Sequence, residues 1–352
     1  LTKIKPQQPT PGYLYSLSVI LAAHNLCRIP YYRFLEQKLS LVSFFTGKSK
    51  MKLVVLSLCL AAFASQAADS QLAIGDQKGN ARAVMEAAGQ LSNLPYQVKW
   101  YEFPNAAPLL ESLNASHLDA GLVGDGPLSF AVASGAAIKA IQASQYLGNA
   151  IIVKKGSSIK SAADLKGKKI ATVKGSSGQN LVFSALSKAN LPADSVQFVF
   201  TTPAEATLAL DNGAVDAVAT WEPYVSFAIA QSDAVIAVDG DAFPVSNYLV
   251  ATDRAITDKR AALEDFRQRL IRARDWGVAH PQAYAQGIAK LLRLPDAVAL
   301  SKVKRESNAP VSDVALVRQR QQAAIDTFSR SGLIKSGLTA DAVIDASFFR
   351  QP

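Results

Sequence analysis

A set of landmarks recurs in this chain at an offset of 96 to 97 positions, and that echo constrains the fold more than any other feature. Lys78-Gly79 is answered by Lys174-Gly175, Leu113 by Leu210, Asp119 by Asp216, Asp125 by Glu222 and Pro127 by Pro223. Self-similarity at a fixed spacing marks a repeated structural unit, so two lobes of like topology are expected. In each, a Lys-Gly turn leads from a strand into a helix, and an acidic loop follows a later strand. Open α/β sheets bind ligands outside the carboxyl ends of their strands. Two such edges facing each other across a hinge make a cleft that closes on a guest.

The hydrophobic pattern between the landmarks agrees with this. Short β-rich runs read as strands: Gln71 to Ile74, Gln97 to Tyr101, Ala120 to Val123, Ile151 to Val153, Lys169 to Val173, Gln197 to Phe200 and Ala217 to Ala219. Ala81 to Leu91, Ala106 to Ala115, Leu181 to Ala189 and Pro203 to Asn212 carry helical spacing between them, which is an α/β alternation. From Asp258 onward the pattern is almost wholly helical, with Ala262 to Ala279, Pro281 to Leu292 and Asp313 to Ser331 as the main segments of a C-terminal packing layer. Strands crossing between the lobes are expected near Ile141 to Tyr146 and Asn247 to Ala251. The expected division is 68–146 with 248–352 as a discontinuous first lobe and 147–247 as the second.

The lobes are expected to start after residue 67. Met51 opens a stretch with a basic start at Lys52, an apolar run from Leu53 to Phe63 and the small-residue site Ser65-Gln66-Ala67, the layout of a secretory signal peptide. The apolar run is too short to span a bilayer. Residues 1–50, which contain no methionine, read as translation from a start placed too early. Without residues 1–67 the chain holds 29 basic and 27 acidic residues, a net charge of +2, so the basic character of the whole sequence is no nucleic-acid footprint. Cys27 and Cys59 also fall in that leader, leaving no disulfide and no thiol nucleophile. A thiol-free chain suits an oxidising periplasm.

Lys174-Gly175-Ser176-Ser177-Gly178-Gln179-Asn180 follows a strand and opens an apolar helix. The first N–H groups of a helix lack internal partners and sit at the positive end of its dipole, so they hold an anion without a buried counter-charge. Ser176, Ser177 and Gly178 are the candidates there; the plain alternative is a serine that only caps the helix. Gln77, in the matching turn Gly75 to Asn80, is either an amide donor to an oxyanion or an ordinary turn residue. Gly124-Asp125-Gly126-Pro127 and Trp221-Glu222-Pro223-Tyr224 form the acidic loops, with Gly124, Asp125, Trp221 and Glu222 as candidates. An indole at a strand end offers a wall for an organic ligand, while Trp221 in the core and acids as helix caps are the alternatives. Carboxylates near an anion need backbone N–H or other partners, or a guest with a positive group.

Together these segments resemble the aliphatic sulfonate, taurine and nitrate class of periplasmic binding proteins, and within it the alkanesulfonate-binding members. The motifs are Gly-Asp-Gln-Lys-Gly at 75–79, Gly-Asp-Gly-Pro at 124–127, Asp-Leu-Lys-Gly-Lys-Lys-Ile-Ala at 164–171, Lys-Gly-Ser-Ser at 174–177 and Trp-Glu-Pro-Tyr at 221–224. Glu222, where related sulfonate binders often carry Asp, and Gly126, where they carry a bulkier residue, depart from the pattern. The resemblance implies a two-lobed type-II periplasmic-binding fold with two mixed sheets, a hinge and a helical layer. It also implies a monomeric periplasmic protein that delivers a sulfonate to an ABC permease and its ATPase, with no cofactor, metal or nucleic acid. The ligand contacts it implies are Gln77, Gly124, Asp125, Ser176, Ser177, Gly178, Trp221 and Glu222.

Two other readings stay open. One is a binding protein for nitrate or for a vitamin or pyrimidine precursor, although Trp221 and Tyr224 favour an organic body. The other is an enzyme on the same bilobal fold. It has only His117 and His280 as imidazoles after residue 67, neither in a metal-ligand pair, and no Gly-x-Ser-x-Gly elbow.

Overall fold

In the computed structural model the described residues are 71–77, 79–243 and 245–349; residues 1–67, where a leader is expected and where both cysteines fall, and Lys78 lie outside them. Runs dense in Val, Ile and Ala form strands, because branched side chains pack well on a pleated surface. In chain order the first elements are β1 (Gln71–Gln77), α1 (Arg82–Ala87), β2 (Gln97–Phe103), α2 (Ala106–Asn114), β3 (Ala120–Gly124), α3 (Asp125–Ala133) and β4 (Ile138–Leu147). Next come β5 (Ala150–Lys154), β6 (Lys169–Thr172), α4 (Ser177–Lys188), β7 (Gln197–Phe200), α5 (Pro203–Asp211), β8 (Ala217–Thr220), α6 (Tyr224–Gln231) and β9 (Ala234–Asp239). The chain then returns through β10 (Val245–Thr252), α7 (Asp253–Asp258), α8 (Arg260–Ala279), α9 (Pro281–Leu292), α10 (Asp296–Arg305), β11 (Ser307–Val311) and α11 (Val314–Arg330).

These strands make two mixed sheets, ordered β11-β4-β10-β3-β1-β2 and β7-β6-β8-β5-β9. In each sheet three parallel strands, β2-β1-β3 or β7-β6-β8, are extended by antiparallel ones. The echo in the sequence therefore has a structural counterpart. The carboxylate of Asp119 accepts the Ala73 N–H at 2.8 Å, and that of Asp216 accepts the Lys169 N–H, also at 2.8 Å. Each acid pins the start of its sheet's first parallel strand, and Leu113 and Leu210 are buried one loop earlier. Their role is to register strands, away from the carboxyl edges.

The first sheet is packed by Leu72, Ile74, Leu122, Leu249, Phe266, Leu270 and Phe328, all buried. The second has its own apolar cluster around Ile151, Val153, Ile170 and Leu181. Burying a side chain of this kind contributes roughly 1.5–3 kcal/mol. Among the described residues no helix is long and apolar enough to cross a membrane.

Two segments correct the sequence-based expectations. The tail is not purely helical: Ser307–Val311 pairs antiparallel with β4 at the edge of the first sheet. It contains Pro310, which cannot donate to a ladder and is confined to edges, so its pattern carries no strand periodicity. The helix expected over Ala81 to Leu91 stops at Ala87, since the chain turns at Gly89, whose φ of 66° lies in the left-handed region.

Candidate functional site

The carboxyl ends of β1 and β3 in one sheet, and of β6 and β8 in the other, open onto one cavity of about 460 Å³. Six of the residues singled out in the sequence line it: Gln77, Gly124, Ser176, Ser177, Trp221 and Glu222. Asp125 and Gly178 stand behind the wall. A Cβ on Gly178 would lie 2.5 Å from the Ala219 carbonyl oxygen, so glycine lets the start of α4 press against β8.

The start of α4 is held in place by side chains that leave two donors unused. Ser176 is the N-cap and its hydroxyl accepts the Gln179 N–H at 3.2 Å, while Gln179 Oε1 accepts the Gly175 N–H at 2.7 Å. The Ser176 N–H turns back to the Val173 carbonyl at 3.2 Å. Among the described residues, the N–H groups of Ser177 and Gly178 have no acceptor. They are the orphan donors that a helix start presents to an anion. The Ser177 hydroxyl donates to Asn149 Oδ1 at 3.1 Å, which ties α4 to the segment where the chain passes between the sheets. From the other sheet, a Cβ on Gly124 would come to 3.9 Å from Ser177 Cβ, ordinary contact distance, so the two sheet edges approach each other closely here. Ser176 thus both caps the helix and lines the cavity.

Gln77 is half-buried at the end of β1. Its amide nitrogen donates to the Leu122 carbonyl at 2.7 Å, which fixes its direction and leaves one amide hydrogen for a guest. Trp221 packs edge-on against Tyr224, with ring centroids 5.9 Å apart. The Tyr224 hydroxyl donates across to the Pro104 carbonyl of the first sheet at 3.1 Å. Burial pushes the Tyr224 phenol up to about 12, so it stays a donor.

The two acids resolve the electrostatic problem by internal pairing. Asp125 Oδ1 accepts the Gly126 N–H at 2.7 Å and Oδ2 accepts the Ser246 N–H at 3.3 Å. Burial raises its pKa to about 6, with those N–H groups pulling the other way. Asp125 is therefore turned into the protein, where it steadies the first turn of α3. Glu222 Oε1 takes the Arg305 guanidinium at 3.0 Å, and Oε2 takes the Ser226 N–H at 3.2 Å. Burial still raises its pKa, the bonds to Ser226 and the charge of Lys302 opposing the shift.

Sequence reasoning missed the contribution of α10. Lys302 is buried, lines the cavity and pairs with Glu306 at 2.5 Å. Burial alone would depress its pKa, but Glu306 and Tyr284 beside it raise it on balance. Lys302, Arg305 and Glu306 stand three and four positions apart on one helical face, a spacing that reads in sequence as an ordinary solvated stripe. Asn247 completes this side, its amide donating to Asn80 Oδ1 at 3.2 Å and Asn308 Oδ1 at 3.0 Å. Lys174 is at the rim and exposed. Among the described residues no group of three or more His, Cys, Asp and Glu could hold a metal, and His117 and His280 are exposed outside the cavity.

Residues 97–284 match the family described as NMT1/THI5 like. A protein of Escherichia coli (strain K12) named as an aliphatic sulfonates-binding protein is 32% identical over 290 residues, 80% of this chain and 90% of that one. The alkanesulfonate-binding protein SsuA from Xanthomonas axonopodis pv. citri, solved with MOPS bound, superposes with a TM-score of 0.70 at 30% identity. That match covers 78% of this chain and 98% of that one. The desulfurization enzyme DszB matches at 14% identity and a TM-score of 0.58, over 80% of this chain and 97% of its own, a likeness of fold alone.

Proposed function

Because this chain belongs to the NMT1/THI5-like family, among relatives of the aliphatic-sulfonate-binding kind, we propose that it captures a small organic sulfonate, alkanesulfonate or taurine-like, and delivers it to an ABC permease for sulfur uptake. In this reading it is an exported, periplasmic monomer, with the permease and its ATPase as partners. Residues 68–146 with 248–352 form one jaw and 147–247 the other. Gln77, Gly124, Ser176, Ser177, Trp221 and Glu222 form the wall, Gly178 contributes its N–H, and Asp125 acts from behind through α3.

The observation that carries the reading is the start of α4 at the cavity, where Ser176 and Ser177 line the wall and the N–H groups of Ser177 and Gly178 have no acceptor among the described residues. A sulfonate is a weakly basic monoanion that needs several directed donors and no proton acceptor. The buried charges of the wall are already matched, Glu222 with Arg305 and Lys302 with Glu306, so neutral donors are what remains for a guest. A dianion would bring a second charge into a site with no unmatched buried cation, next to two carboxylates, which is costly where little water lies between. Binding rather than catalysis is supported by the relatives named for sulfonate binding.

A thermal-shift panel tests this, since a ligand that binds only the folded form at a hundred times its Kd adds about 2.7 kcal/mol of stability. Stabilisation by an alkanesulfonate or taurine, and none by sulfate, is expected. A flat response to sulfonates with a shift from a pyrimidine precursor would overturn the assignment.

A further inference from the structure

The cavity does not end at the anion-holding turn. It continues as a groove between α2 and α3, which follow parallel strands, touch each other and start at the same sheet edge. Ala107, Leu110 and Asn114 line it from α2, and Pro127, Ala131 and Ser134 line it from α3 and the residue after it. These positions are three, four and seven apart, so each helix turns one continuous stripe to the groove. At 1.5 Å per residue, the seven steps from Ala107 to Asn114 span about 10 Å. The inner end is where Gly124 faces Ser177, and the outer end is ringed by exposed Asn114 and Ser134.

Small and apolar side chains give this groove its bore. Ala107 and Ala131 bring only methyl groups to it, Leu110, Pro127 and Phe130 add apolar surface, and the exposed Glu111 is the one charged side chain that these two helices bring to the lining. At about 460 Å³ the cavity has the dimensions that hold a drug-sized ligand, in the range of roughly 300–1,000 Å³. A two-carbon sulfonate seated at Ser177 would leave most of this apolar bore to water.

We propose that the α2–α3 groove is a second subsite, for the organic body, and that Ala107 and Ala131 make this protein select sulfonates with an extended apolar body of about six carbons or an aryl ring. The proposal rests on the sulfonate reading of the same cavity and narrows it. Each methylene drawn from water into the groove raises affinity by about twofold to fourfold, the upper end being full burial and the lower end a groove open on one side. The gain stops where the tail passes Asn114 and Ser134. A large side chain at Ala107 or Ala131 fills the bore and removes the gain.

Calorimetric titration of the full chain with ethane-, butane-, hexane- and octanesulfonate tests this, alongside Ala131→Phe and Ala107→Phe. The ratio of hexane- to ethanesulfonate affinity is expected to be about 16-fold to 250-fold, by about twofold to fourfold for each of four methylenes. Octanesulfonate should gain little more, and the ratio should collapse towards one in the variants. Ala107 is exposed, so its variant keeps the test alive where Ala131→Phe fails to fold. Binding without dependence on length, or an unchanged ratio in a folded variant, overturns the groove alone. No binding at any length overturns the sulfonate reading and the groove with it.

Discussion

Single residues in this cleft do different jobs from those their motifs advertise. Asp125 sits in a glycine-rich acidic loop that reads as ligand-facing, yet its carboxylate is spent on the N–H groups of Gly126 and Ser246. The residue pattern is the same for a helix-steadying acid and a ligand contact; only the direction of the side chain separates them, and direction is not written in sequence. The pKa of Asp125 provides a test. It rises from 3.8 to about 6 because burial disfavours the charge. The folded protein therefore holds that proton more tightly than the unfolded chain does, and the associated stability is complete below about pH 4 and is lost as pH rises through about 6. At about 1.4 kcal/mol per unit the loss is on the order of 3 kcal/mol. Denaturant unfolding between pH 4 and 7 should show that decline in the native protein and a shallower one in Asp125→Asn. Identical slopes would mean that Asp125 is not the group responsible.

At the scale of elements, the position of α4 at the cavity was legible and that of α10 was not. Ser-Ser-Gly before an apolar run announces a helix start with open donors, and the structure places that start at the cavity. The acid-base pairs carried by α10 have no motif, since their partners Glu222 and Asp239 lie more than sixty residues away in the chain. Strand β9 was passed over as well: it is a short apolar run at the edge of its sheet, without the turn landmarks that bracket its neighbours. Arg305 reaches Glu222 at 3.0 Å and Asp239 at 3.6 Å, so α10 is joined to the ends of both β8 and β9. The Glu222 side chain is fully buried, and removing its partner strands a charge there. Arg305→Ala should destabilise by about 3–5 kcal/mol, whereas adding Glu222→Gln to it should restore more than half of the loss, because the orphaned charge is then gone. Urea midpoints of the two variants check this; additive losses would contradict the pairing.

For the molecule as a whole, the echo of 96 to 97 positions was enough to foresee two sheets of like order, because part of it reflects strand registration by Asp119 and Asp216. The α/β class and most strands were readable from apolar periodicity. The edge strand β11 was not, since its proline and polar residues carry no alternation. The cavity between the two sheet edges was inferable, but its groove along α2 and α3 depends on how two helices pack, which no local pattern reports. What unites these scales is the proposal that an anion is held by the unpaired N–H groups at the start of α4. Backbone amide NMR during a titration with ethanesulfonate tests that claim most directly. The amide protons of Ser177 and Gly178 should move downfield, as protons entering a hydrogen bond to a charged acceptor do, and should do so in step with calorimetric saturation. Saturation with both resonances unmoved would contradict the account.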